Sequence, residues 1–187
     1  MTIAHAYSGV IGIGRKALIA TRRALLQDLG ELGMQRLQEI GCASGEEIYE
    51  SFGRWLPEFA GVSSTEDLDA GTLEEVLSEF FGGLGWGGVT IERLGSNGLS
   101  ISSEDWAEAD PAEGSEYPSC YFSSGLFADF LTRMAGGNAI SIMEVECRSR
   151  GDQRCRFFAG APSTLDAVYN ALAEGRDYRE VFEDGSE

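Results

Sequence analysis

The sequence predicts an α+β domain in which an antiparallel sheet packs against several helices. Three observations carry that reading. Apolar residues recur at three- and four-residue steps through residues 16–82, two later stretches alternate around Gly-containing turns, and a separate helical pattern lies between those stretches. The order helices, hairpin, helix, hairpin, helix is that of an α+β fold with antiparallel pairing.

Residues 1–15 are Gly-rich and weakly apolar. The run Gly9 to Ala17 resembles a phosphate loop only superficially: it lacks the Gly-Lys-Ser/Thr ending and the third Gly of a dinucleotide fingerprint. From Lys16 to Ile40, the residues Leu18, Leu25, Leu29, Leu32, Leu37 and Ile40 make the apolar stripe of one long amphipathic helix, which Gly41 and Cys42 end. Ser44 or Gly45 opens a second helix through Ile48, Phe52 and Trp55, closing before Pro57. Gly30, Gly33, Gly41 and Gly45 permit close approach between helices, and a helix end explains the last two equally well. A third helix spans Asp67 to Gly82 and is broken by the Gly-rich run through Gly88.

Val89 to Leu94 and Leu99 to Ile101, joined at Ser96-Asn97-Gly98, read as the first hairpin. Glu104 to Glu116 is an acidic stretch expected to be a solvated loop. Pro118 to Phe122 is extended, Ser123 or Ser124 caps a helix through Leu126, Phe130 and Met134, and Gly136-Gly137 closes it. Ala139 to Cys147 and Arg154 to Ala159 flank a Gly151-Asp152 turn and make the second hairpin. Leu165 to Ala173 is the last helix, begun at Ser163-Thr164 after Pro162. Residues 16–173 therefore form one domain, and residues 174–187 an acidic, frayed tail.

Composition narrows the function. A formal charge of −17 disfavours nucleic acid and anionic membranes as partners, because both repel an acidic surface. No apolar run approaches the ~18 residues of a membrane span, and the N-terminus lacks the pattern of a signal peptide, so a cytoplasmic location is expected. In that compartment the four cysteines are expected to be metal ligands or free thiols.

Cys147 and Cys155 flank the Gly-Asp turn, and Cys120 lies upstream. Cross-strand partners have Cβ atoms about 4.5–5.5 Å apart, which suits two thiolates converging on one tetrahedral ion, and zinc is the first hypothesis. The only histidine is His5, so the fourth ligand is a carboxylate, Cys42 or water. Glu144 and Glu146 are the carboxylate candidates, yet strict alternation puts both on the face opposite Cys147 unless a bulge intervenes. The competing readings are cysteines packed as core neighbours and, less favoured, a redox disulfide. Phe80, Phe81, Trp86, Phe122, Phe127, Phe130 and Met134 supply enough surface to line an apolar cavity, with a filled core as the alternative. No Ser-His pairing or redox-cofactor motif points to an enzyme.

The pattern Pro118-x-Cys120-Tyr-Phe-x-x-Gly125, then Glu144-x-x-Cys147, then Gly151-Asp152-x-x-Cys155-x-Phe157 resembles the 4-vinyl-reductase-like, hydrocarbon-binding domain. Similar domains occur in the sensor halves of phenol- and toluene-responsive transcription activators and, without the cysteines, in palmitoyl-binding TRAPP subunits. The resemblance is sharpest over residues 85–160 and extends from Lys16 through Leu172. It implies a TRAPP-subunit-like ligand-binding fold and a structural zinc held by Cys120, Glu144, Cys147 and Cys155. It also implies an apolar-ligand pocket and a homodimer built on the long N-terminal helix. No His lies within the domain to meet a phenolic hydroxyl, so a wholly apolar ligand, an acyl chain or a tetrapyrrole edge suits it better than phenol. The expected function is a stand-alone, zinc-stabilised domain that binds an apolar small molecule as sensor, carrier or adaptor. The alternatives are an accessory protein or enzyme of tetrapyrrole 4-vinyl reduction and a dimeric protein-interaction scaffold without ligand.

Overall fold

A computed structural model describes residues 9–62, 64–96 and 98–183. Residues 1–8 of the N-terminal segment, Ser63, Asn97 of the first turn and residues 184–187 of the tail lie outside the described residues.

The first helices are α1 (Arg15–Leu29), α2 (Glu31–Ala60) and α3 (Ala70–Gly83). The predicted helix break at Gly41 is instead at Gly30, where φ 58° and ψ −127° suit a residue without Cβ. Gly41 and Gly45 lie inside α2 because another helix presses on them there. A Cβ at Gly41 would lie 2.0 Å from the Phe122 carbonyl oxygen, and one at Gly45 would lie 2.4 Å from Asp129 Oδ2. Gly125 answers from the opposite side, where a Cβ would come 2.0 Å from the Gln38 carbonyl oxygen. Helical periodicity is blind to that distinction, since a glycine that ends a helix and one that admits a neighbour read alike. Helix α2 also runs past Pro57 to Ala60, and Gly61, at φ 71°, closes it by donating its N–H to the Pro57 carbonyl.

Four strands follow: β1 (Thr90–Leu94), β2 (Gly98–Ser103), β3 (Ser141–Glu146) and β4 (Cys155–Gly160). They form one antiparallel sheet in the order β1-β2-β4-β3, so the two predicted hairpins are joined through β2 and β4. Helix α4 (Tyr121–Met134) links the hairpins, and α5 (Pro162–Ala173) and α6 (Arg179–Glu183) follow the sheet. The fold is α+β, as the sequence predicts.

Both sheet faces are covered. On one, Ile101, Phe157 and Ala159 join Phe52, Phe80, Phe127 and Phe130 in the main core. On the other, Leu94 and Phe158 pack with Leu165, Val168 and Phe182. Every residue of β4 is consequently buried, so the alternation of a half-solvated strand is lost there. Phe182 also shows that the tail is not wholly frayed: Tyr178, Val181 and Phe182 cover the sheet through α6.

The acidic stretch is likewise not a solvated loop throughout. Trp106 and Glu108 are fully buried within it. Among the described residues, no helix is long and apolar enough to cross a membrane.

Candidate metal centre and ligand cavity

The bulge that strand parity demanded is present. Glu144 pairs with Phe157 and Glu146 with Arg156, so Val145 is an extra residue in β3. Glu144 is thereby placed on the core face with Phe157 and, two residues away, Cys155. Glu146 turns to the other face and pairs with Arg154 at 2.8 Å. The β3–β4 connection is longer than a tight turn, holding a 3₁₀ turn at Arg148–Arg150 and Gly151 at φ 100°. Asp152 Oδ2 closes it by accepting the Cys147 N–H at 2.7 Å. Cys120 enters from the start of α4.

Cys120, Glu144, Cys147 and Cys155 present ligand atoms that all lie within 4.8 Å of one another. Cys120 Sγ is 3.8 Å from Cys147 Sγ and 3.9 Å from Cys155 Sγ. Sulfurs bound tetrahedrally at ~2.3 Å from one ion stand ~3.8 Å apart, so this spacing fits a shared cation. It is far too long for a disulfide, and all four cysteines are free. Cys42 is exposed on α2 and takes no part in the cluster.

The carboxylate supplies an independent indication. Glu144 Oε2 accepts the Cys120 backbone N–H at 2.8 Å, whereas the buried Oε1 has no hydrogen-bond partner. An orphaned buried oxygen is costly unless something positive meets it. Protonation equilibria tell the same story. Hydrogen bonds from the Cys120 and Cys155 thiols hold Cys147 far below the usual thiol range, as its thiolate. Burial pushes Cys120 well up, and burial together with the Cys147 charge does the same to Glu144. For Cys155 the Cys120 hydrogen bond favours the thiolate, but the Cys147 hydrogen bond and burial outweigh it and raise the thiol. Without a cation the cluster carries one sulfur anion among protonated neighbours. Three soft sulfurs and one carboxylate oxygen are a donor set that fits zinc.

The segment before α4 holds two functional side chains that sequence reasoning missed. Glu108 accepts the N–H groups of Phe122 at 3.1 Å and Ser123 at 2.8 Å, together with the Ser123 hydroxyl. It caps α4 from a distance, in place of the predicted Ser123 or Ser124 cap, and burial pushes its carboxyl up to about 7. Arg22, the one residue of α1 classed as buried, donates from Nη1 to the Glu108 carbonyl at 3.0 Å and to Ser119 Oγ at 3.2 Å, and pairs with Glu113 through Nη2. An Arg within a leucine-rich stripe and a Glu within an acidic run carry no sequence signal for burial.

A cavity of about 290 Å³ opens between the segment leading into α1, α2, the end of α3 and α4. Leu18, Ile48, Leu84, Trp86, Phe122 and Leu126 form its apolar wall. Trp86 lies nearly parallel to Phe122, at 10° and 5.6 Å between ring centroids, and also stacks on Trp106. Arg15 and Glu47 bring charge to the lining. Of the seven side chains expected at a pocket, Trp86 and Phe122 are on this wall. Phe80, Phe81, Phe127 and Phe130 pack edge to face in the core, and Met134 lines a separate hollow with Leu131 and Ile91. Periodicity marked those phenylalanines as inward-facing but could not tell a cavity wall from a packed interior.

Residues 99–161 match the vinyl-4-reductase (V-4-R) domain family. That segment includes every member of the thiol–carboxylate cluster, so the expected kinship with 4-vinyl-reductase-like domains is met. No curated protein matches the chain in sequence. Solved structures extend this likeness beyond the matched residues. The phenol-responsive sensory domain of the transcription activator PoxR, crystallised with phenol, aligns at TM-score 0.62 and 20% identity over 81% of this chain and 76% of that one. A trafficking protein particle complex subunit 3 from Naegleria fowleri, covalently bound to palmitic acid, aligns at TM-score 0.56 and 15% identity over 78% of this chain and 93% of that one. A vinyl-4-reductase family protein from Methanocaldococcus jannaschii aligns more loosely, at TM-score 0.46 and 20% identity over 66% of each chain. At these identities the first two establish a common fold.

Proposed function

We propose that this chain is a small-molecule-binding sensory domain that takes an apolar ligand in the cavity walled by Trp86, Phe122 and Leu126. The observation that carries the reading is the cavity itself, apolar over most of its wall and bounded by four different segments of the chain. Its size is near the lower end of the ~300–1,000 Å³ typical of ligand pockets, which favours a compact ligand or one end of a longer one. Two proteins of the same fold, one crystallised with phenol and one carrying palmitic acid, support the reading. The role is binding rather than catalysis.

Zinc held by Cys120, Glu144, Cys147 and Cys155 is part of the proposal, and its chemistry there is structural. It would tie the start of α4 to the β3–β4 hairpin and so fix the helix that carries Phe122 and Leu126. The exposed Leu29, Leu32 and Ile40 support a homodimer through α1 and α2, and a cytoplasmic setting suits four free thiols.

Extraction of the purified chain under denaturing conditions, followed by mass spectrometry, is expected to release an apolar small molecule. Where none is retained, titration with naphthalene is expected to quench tryptophan fluorescence, and Trp86→Ala is expected to abolish that response. Absence of both a retained molecule and quenching removes the proposal.

A further inference from the structure

Helix α1 is unusual in what attaches it. Its apolar residues are at most half-buried, and Arg22 is the residue it buries. That guanidinium reaches the Glu108 and Ser119 carbonyls at 3.0 and 3.4 Å and Ser119 Oγ at 3.2 Å. Ser119 immediately precedes Cys120, and its hydroxyl lies 3.9 Å from Cys147 Sγ. At the other end of the helix, Arg15 Nη2 donates to the Trp106 and Ala109 carbonyls at 3.1 and 3.0 Å. The helix is thus latched to residues 106–119 by two cations bonded to backbone oxygens, and Arg15 and Leu18 of the same helix line the cavity.

We infer that Arg22 is a positioning residue that couples the metal centre to α1 and, through α1, to the ligand cavity. The inference rests on the metal and cavity readings above and adds the link between them. A cation on Cys120 fixes Ser119, and a fixed Ser119 presents two acceptors to Arg22 in one geometry. A buried guanidinium needs all of its acceptors, so their loosening releases the helix. Coupling of this kind is reciprocal: whatever factor the metal contributes to seating α1, the seated helix returns to metal affinity.

Hydrogen exchange on the full chain, zinc-loaded and chelator-stripped, tests this together with zinc affinity measured by competition with a chromophoric chelator. Stripping the wild type is expected to speed amide exchange in α1 and in residues 106–119 while leaving α5, on the far side of the sheet, unchanged. Arg22→Lys, which keeps the charge but loses the fork, is expected to speed α1 exchange even with zinc bound and to weaken zinc by roughly 10-fold, as loss of an outer partner of a metal ligand does. If α1 exchanges equally in loaded and stripped protein, or if α5 loosens as much as α1, the latch is overturned while the metal centre stands. If the wild-type chain binds no metal at all, the metal reading falls and the latch with it.

Discussion

Glu144 shares a sheet face with Cys147 only because Val145 is an extra residue in β3. One bulge decides the composition of the cluster: it brings a carboxylate to three sulfurs and sends Glu146 to an arginine on the opposite face.

Replacement of one ligand should separate a metal centre from a cluster of core thiols. Cys147→Ser is expected to release zinc and to destabilise the fold by several kcal/mol if metal binding is coupled to folding, against about 1 kcal/mol for a simple core cysteine. Elemental analysis before and after the change, with urea denaturation, reads both outcomes. Glu144→Gln keeps an acceptor for the Cys120 N–H but loses the anion, so zinc affinity should fall with little change in metal-free stability.

Metal affinity should rise with pH. Cys120 and Cys155 are held protonated in the metal-free cluster, and both must ionise to bind. Zinc binding is therefore expected to release at least two protons near neutrality, measured as the dependence of calorimetric heat on buffer ionisation enthalpy. A binding heat independent of the buffer would contradict thiolate ligation.

Glu108 makes a separable contribution to pH dependence. Its folded pKa, about 7, exceeds the ordinary 4.5, so the folded state holds a proton that the unfolded chain has given up. That contribution is complete below about pH 4.5 and is lost as pH rises through about 7, an effect on the order of 3 kcal/mol. Glu108→Gln is expected to flatten this part of the stability profile relative to wild type, whatever it does to absolute stability. Parallel profiles for the two proteins would refute the assignment.

The contact between α2 and α4 predicts opposite outcomes for two glycines in one helix. Gly41→Ala drives a methyl into the Phe122 carbonyl and is expected to cost roughly 1–3 kcal/mol. Gly53→Ala meets nothing within 4 Å and is expected to stabilise α2 by up to about 1 kcal/mol. Thermal denaturation of the two variants checks the contrast.

The sequence by itself determined the elements, because each rests on a local signal. Alternation around glycine-containing turns marked both hairpins, three- and four-residue spacing marked the helices, and the order of the cysteines around Gly151 and Asp152 marked the cluster. Tertiary structure decided what depends on neighbours distant along the chain. Whether Gly41 ended a helix or admitted one depended on Phe122, 81 positions away along the sequence. The burial of Arg22 and Glu108 depended on carbonyls and amides that only folding brings within reach. Packing likewise assigned Phe80 and Phe130 to the core and Phe122 to the cavity wall, since all three carry the same inward-facing pattern and differ only in what lies opposite them.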